Sequence, residues 1–196
     1  MSDFTPRLSR YSPTSMTNNP WWYSTAQNPY MGWYNRFTNT GNGLPNCTCY
    51  AYGRYAEIRN AWDEFMLPRG NAGTWWEQAT DPTNQFYIGD GNFGQTPQLG
   101  AVICWHDPTG TYAGHVGVVE QIFTDGRINT SNSAYGGEYF YTAYRRASDN
   151  YYIPYHNGAY TFQGFLYNTA VTPTPPTPPP PGRKMPLWMM VDYNNY

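Results

Sequence analysis

One stretch of the chain predicts a helix and, with it, the position of a cysteine. Ala51, Tyr55, Ile58, Trp62 and Phe65 recur at spacings of four, three, four and three, which is one face of an α-helix. Pro68 and Gly70 predict its end, and the turn GNGLPN precedes it. Cys47, in the stretch NCTCYAYGR, therefore stands at or just before the helix N-terminus. Cys49 lies a residue or two inside the helix, rotated by about 200°, and cannot share that outlook. The unsatisfied N–H groups and the dipole of a helix N-terminus favour a thiolate, so this position predicts a lowered thiol pKa at Cys47.

Around this helix the chain changes character twice. Residues 1 to about 45 are polar, aromatic and rich in turn formers, which predicts an ordered but irregular segment. Thr74-Trp75-Trp76-Glu77 has the pattern of a capping box and predicts a second, short helix ended by Pro82. Strand patterns follow at Ala101–Trp105, His115–Ile122, Ile128–Ser131, Tyr139–Tyr144 and Tyr160–Tyr167, with a hairpin turn at Thr124–Arg127. Helices followed by hairpin-linked strands predict an α+β fold with an antiparallel sheet. Thr172 to Pro181 reads TPTPPTPPPP, a polyproline II spacer, and the 15-residue stub after it is too short to fold alone.

Composition narrows the partners. Aromatic residues make up 19% of the chain and charged residues 12%, with a net charge of -2. That leaves no electrostatic footprint for nucleic acid and suits sugars or amphipathic polymers. No apolar run approaches the roughly 18 residues of a membrane span. The N-terminus lacks the apolar stretch of a secretory signal peptide. Three cysteines cannot all pair, so at least one free thiol is expected.

A thiol nucleophile needs a base and a group that orients the base. Of the three histidines, His106 and His156 fall in loop-like stretches, while His115 opens the best strand pattern. Gly117 shares its face and leaves room for the Cys47 helix terminus to approach. An orienting group is available in Asn132, in the neighbouring strand. Cys49 and Cys104 read most simply as core cysteines, and Glu120, on the opposite strand face from His115, as structural. A Cys₃His zinc set of Cys47, Cys49, Cys104 and His115 lacks a second closely spaced ligand pair. From spacing alone, the triad and inert burial both stay open.

Five blocks in order then resemble the CHAP family (cysteine, histidine-dependent amidohydrolase/peptidase), papain-like peptidoglycan hydrolases common in bacteriophage lysins. They are NCTCYAYGR, GNAGTWW, TPQLGAVICW, GHVGVVEQI, and the closing pair TSNSAYGG and FQGFLYN, spanning roughly residues 46–168. The resemblance implies a papain-like α+β fold, with Cys47 as nucleophile, His115 as base and Asn132 as the orienting residue. It implies an amidase or endopeptidase acting on bacterial peptidoglycan without a cofactor. Asn46, Trp75 and Trp76 are the expected substrate contacts, although adjacent helical residues face different ways, so one of the two tryptophans is expected to pack. The aromatic residues Trp21, Trp22, Tyr23, Tyr30 and Trp33 either extend the cleft or cover the sheet edge.

Two departures matter. Many members carry Glu where this chain has Asn132, and a further family Asn matches Ala134. No Asp-x-Asp loop precedes Cys47, so no calcium site is expected there. The implied organisation is a catalytic domain over 1–168, a linker over 169–182 and a stub over 183–196 that anchors the enzyme or mediates self-association. The implied setting is synthesis in the host cytoplasm and action on the cell wall. A virion tail-associated lysin, or a wall-binding module without catalysis, are the rival classes; intact Cys47 and His115 speak against the second.

Overall fold

A computed structural model describes residues 4–23, 27–31, 43–62, 67–135, 137–155 and 158–172. Helix α1 spans Cys47–Arg59. A 3₁₀ turn, Ala72–Thr74, leads into the short helix α2, Trp75–Thr80. Strands β1 (Phe93–Gly94), β2 (Val102–His106), β3 (His115–Ile122), β4 (Arg127–Asn132), β5 (Tyr141–Arg146), β6 (Ile153–Tyr155) and β7 (Gly158–Leu166) follow. They form one antiparallel sheet in the order β1-β7-β2-β3-β4-β5, with β6 paired to β7. Helices on one face of such a sheet make the papain-like α+β arrangement.

The start of α1 follows from its cap. Asn46 has an extended backbone, and its side-chain oxygen accepts the N–H of Cys49 at 2.9 Å. The end differs from the sequence expectation. Asn60 takes the left-handed conformation and closes the helix, with its N–H on the Ala56 and Glu57 carbonyls. Trp62 keeps the apolar spacing beyond that point because it stacks on Tyr52 and packs on Trp21. Phe65 lies outside the described residues.

The expected capping box at Thr74 is absent. Thr74 has a helical backbone that continues the 3₁₀ turn, so its hydroxyl donates back to the Asn71 carbonyl at 2.9 Å. No side-chain bond caps α2 there.

The sheet separates two apolar layers. Val116 and Val118 of β3 join the helix-side layer with Cys49, Ala56, Cys104 and Leu166. Val119 joins the other layer with Ile103, Trp105, Ile128 and Phe165. A register shift between Val119 and Gln121 breaks the simple alternation.

A buried ionic network ties α1 to the sheet. Arg54 donates through Nε and Nη2 to the two Glu120 carboxylate oxygens at 3.0 and 2.9 Å, and through Nη1 to Glu57 at 2.9 Å. The Arg7 backbone N–H donates to Glu120 at 2.7 Å, and its guanidinium donates to Glu57 at 2.6 Å. The Ser131 hydroxyl completes the Glu120 shell at 2.7 Å. Arg7, Arg54 and Glu120 are all buried, so each charge depends on its partners. The network fastens the N-terminal residues around Arg7 onto α1.

The stretch expected to begin the linker still packs at first. Thr169 accepts a hydrogen bond from Arg59 at 2.8 Å, and Val171 is buried beside Ile58 and Gly100. The rest of the proline-rich stretch, the stub and His156 lie outside the described residues.

Glu120→Ala leaves Arg54 and the Arg7 N–H short of their acceptor inside the protein. The expected loss is about 3–5 kcal/mol, read by urea unfolding. A loss below about 1 kcal/mol would show that the network does not hold the fold together.

Candidate active site

Two contacts bring the start of α1 to the strands that carry the other candidate residues. The Asn46 N–H donates to the Ser133 hydroxyl at 3.1 Å, so the residue before Cys47 is tied to the residue after Asn132. The Val116 N–H points at the Cys47 sulfur, joined by the N–H groups of Thr48 and of Cys47 itself. The thiol therefore sits at the beginning of β3, the strand that His115 opens.

His115 and Asn132 meet directly. Asn132 donates through Nδ2 to the Thr130 carbonyl at 3.1 Å and hydroxyl at 3.0 Å, which turns its Oδ1 toward the imidazole. His115 Nε2 lies 3.2 Å from that Oδ1. An amide oxygen only accepts, so Nε2 carries the proton and Nδ1 is left as the basic nitrogen. Trp105, the cross-strand partner of His115, lays its ring against the imidazole at 5.8 Å.

Gly117 does not make room for the helix terminus, as the sequence suggests. A Cβ there would stand 2.4 Å from Asn132 Oδ1. The glycine admits the orienting side chain.

Burial sets the protonation states. It pushes the Cys47 thiol up to about 11, and the three backbone N–H groups only partly oppose it. It pushes the His115 imidazole down to about 4; the Asn132 hydrogen bond opposes that fall and Arg145 adds to it. The expected lowering of the Cys47 pKa is thus overturned. Helix-end N–H groups do face the sulfur, but desolvation of the thiolate outweighs them. Near neutral pH both the Cys47 thiol and the His115 imidazole are therefore uncharged. Cys49 and Cys104 are buried in the helix-side core. Among the described residues no cluster of three His, Cys, Asp or Glu side chains can hold a metal.

The thiol opens on a cavity of about 550 Å³, lined among others by Tyr30, Asn46, Arg69, Asn71 and Tyr135. Asn46 lines it, and its Oδ1 serves as the helix cap and accepts the Thr48 hydroxyl at 2.7 Å. The two tryptophans do not line it. Trp75 is buried, and its indole N–H donates to the Tyr30 hydroxyl at 3.0 Å. Trp76 lies over Gly164 of β7, its ring perpendicular to that of Phe93. Both are packing residues in this structure. Of the N-terminal aromatics, Tyr30 lines the cavity and Trp22 is buried; Trp33 lies outside the described residues.

Sequence reasoning missed Tyr141. Its register partner on β4 is Asn132, and its hydroxyl lies 3.5 Å from His115 Nε2. Burial pushes its phenol up to about 12, against the lowering pull of Arg145 and with a further rise from nearby Cys47. The alternating strand pattern of YTAYRR was the available signal, since it sets Tyr141 opposite the end of β4.

With this geometry in view, comparison with known proteins gives a family. The CHAP domain family model matches residues 36–134, about half of the chain. The chain belongs to the CHAP domain family. It is also similar to a crystal structure of an N-acetylmuramoyl-L-alanine amidase from Staphylococcus aureus. That similarity has 21% identity and a TM-score of 0.41, over 63% of this chain and 31% of that one. The chain thus spans about a third of the length of that solved chain. No curated protein matches it.

A neutral thiol has a direct signature. Alkylation of Cys47 by iodoacetamide should speed up about tenfold per pH unit from pH 7 until it levels near 11. A rate already flat across pH 6–9 would mean a preformed thiolate.

The imidazole has a signature in stability. His115 resists protonation when folded, so its contribution is intact above the unfolded value near 6.5. It is lost as the pH falls from there toward about 4. That loss reaches on the order of 3 kcal/mol and should be missing from the pH-stability profile of His115→Asn.

Proposed function

We propose that this chain hydrolyses an amide bond of bacterial peptidoglycan by thiol acyl transfer, as a bacteriophage lysin. One observation carries the chemistry: a thiol at a helix N-terminus opens on a cavity and is held by the Val116 N–H at the start of the strand whose first residue, His115, has its tautomer set by Asn132. Family membership supports the wall substrate. The lysin role rests on the resemblance of the five sequence blocks.

Cys47 is the nucleophile, His115 the base and Asn132 the orienting residue. As the substrate fills the cavity, the thiol proton passes to His115 Nδ1 while sulfur attacks the amide carbonyl. The tetrahedral oxyanion faces N–H groups at the start of α1, among them that of Cys47. The imidazolium then protonates the leaving amine, and the freed imidazole activates water to release the acyl group from sulfur. An amide oxygen at Asn132 holds the imidazolium with less charge stabilisation than a carboxylate would. Proton transfer coupled to attack requires no standing ion pair, which suits a pair kept neutral by burial.

Cys47→Ala should abolish clearing of cell-wall zymograms, and His115→Ala should lower turnover by about 10²–10⁴. Gly117→Ala, which displaces the Asn132 oxygen, should act in the same direction as Asn132→Ala. Clearing by the Cys47→Ala protein would refute the nucleophile. Mass spectrometry of the released fragments reads the bond: new N-termini on the first stem alanine mean an amidase, and new termini within the stem or cross-bridge mean an endopeptidase.

A further inference from the structure

We propose that Tyr141 is a positioning residue: its hydroxyl oxygen shares the Nε2 proton of His115 with Asn132 and stabilises the imidazolium that forms during turnover. This rests on the acyl-transfer reading of the same site. Three observations point to it.

First, two oxygens converge on one nitrogen. His115 Nε2 lies 3.2 Å from Asn132 Oδ1 and 3.5 Å from the Tyr141 hydroxyl. Asn132 donates through Nδ2 to Thr130, so its oxygen faces the ring and Nε2 keeps the proton. A protonated Nε2 can only donate, which makes the Tyr141 oxygen its second acceptor. The phenol, pushed up to about 12 by burial, stays un-ionised near neutral pH and brings no charge of its own.

Second, one strand pairing sets both oxygens. Asn132 and Tyr141 are register partners across β4 and β5. Two residues earlier on β4, Thr130 pairs with Ala143 and donates its hydroxyl to the Ala143 carbonyl at 3.1 Å. The same Thr130 oxygen accepts from Asn132 Nδ2 at 3.0 Å. Tyr141, Ala143 and Arg145 form the half-buried face of β5. The β4–β5 ladder thus fixes the amide and places the phenol before any substrate arrives.

Third, the surroundings of His115 oppose the charge that the reaction needs. Burial disfavours the imidazolium, and so does Arg145. Around Tyr141 the charged and titratable groups are Arg145 on its own strand, Cys47 on α1 and Glu138 ahead of β5. The orienting residue is a neutral amide, so a second neutral acceptor is a way to offset part of this cost. Hydrogen bonds to an ionised partner are shorter and about twice as strong as neutral ones. The 3.5 Å contact of the resting state therefore gains most when the ring takes up its second proton.

The test is Y141F, which keeps the ring and removes the hydroxyl. Its first readout needs no substrate: the Cε1 proton of each histidine reports protonation by NMR. The His115 midpoint should fall by about one pH unit in Y141F, with those of His106 and His156 unmoved. Asn132→Ala should lower it as well. The double variant should lower it by more than the two single shifts added, because Tyr141 is the sole acceptor once the amide is gone. An unmoved His115 midpoint, equal shifts at all three histidines, or shifts that add or fall short of adding would each overturn the proposal. The second readout is turnover of soluble muramoyl peptides, where Y141F should lower kcat about tenfold and leave KM unchanged. A loss carried by KM alone, or an unchanged kcat, would also overturn it. If the unsubstituted chain cuts none of these peptides while the NMR pattern holds, peptidoglycan hydrolysis fails and the shared proton stands.

Discussion

The Glu120 carboxylate is the contact on which the rest of the structure depends. It joins Arg54 on α1, Arg7 on the N-terminal segment and Ser131 on β4. Its own strand, β3, begins with His115, and Ser131 precedes Asn132. The helix that starts at Cys47 is thus locked to the strands that carry the other two candidate residues. A buried ion pair adds little net stability over well-packed apolar groups, but it tolerates no change of partner geometry. In this chain that intolerance fixes the rotation and height of α1 against the sheet. It leaves the helix N-terminus at the start of β3, where the Val116 N–H meets the sulfur.

The site is then dominated by desolvation. Three N–H groups and a helix end would lower the thiol pKa in open solvent, yet burial raises it, and the same burial depresses the imidazole. The two effects reinforce a neutral pair. Asn132 contributes a hydrogen bond without a charge, which keeps the imidazole in one tautomer while adding no second anion to a buried site. An Asn at this place is therefore consistent with a resting state that separates no charge.

The start of α1, strand β3 and the hairpin into β4 were legible in the sequence, because each rests on local signals: a cap, an apolar strand, a turn with Asp125 and Gly126. The end of α1 was not, because Trp62 continues the helical spacing while stacking on Tyr52 from a different backbone conformation. Strands β1 and β6, of two and three residues, exist through pairing with β7 and leave no pattern of their own. Cys47 and His115 could be singled out because a helix end and a strand start are local features. The direction of their pKa shifts could not, since burial is a property of the assembled layers. Tyr30, Arg69 and Tyr141 reach the site through register and loop closure, which spacing along the chain does not encode.

The position of β7 between β1 and β2 has a consequence beyond the site. β7 lies between β1 and β2, so the last of the described strands in chain order is inserted inside the sheet and not added at its edge. The family match stops at residue 134, before β5, β6 and β7, and starts at residue 36, after Arg7. A module exchanged between proteins at those limits would carry β2 as a bare edge and leave Glu57 and Glu120 without the N-terminal arginine. The arginine of the ion network and the buried Val171 both lie outside the segment by which the family is recognised.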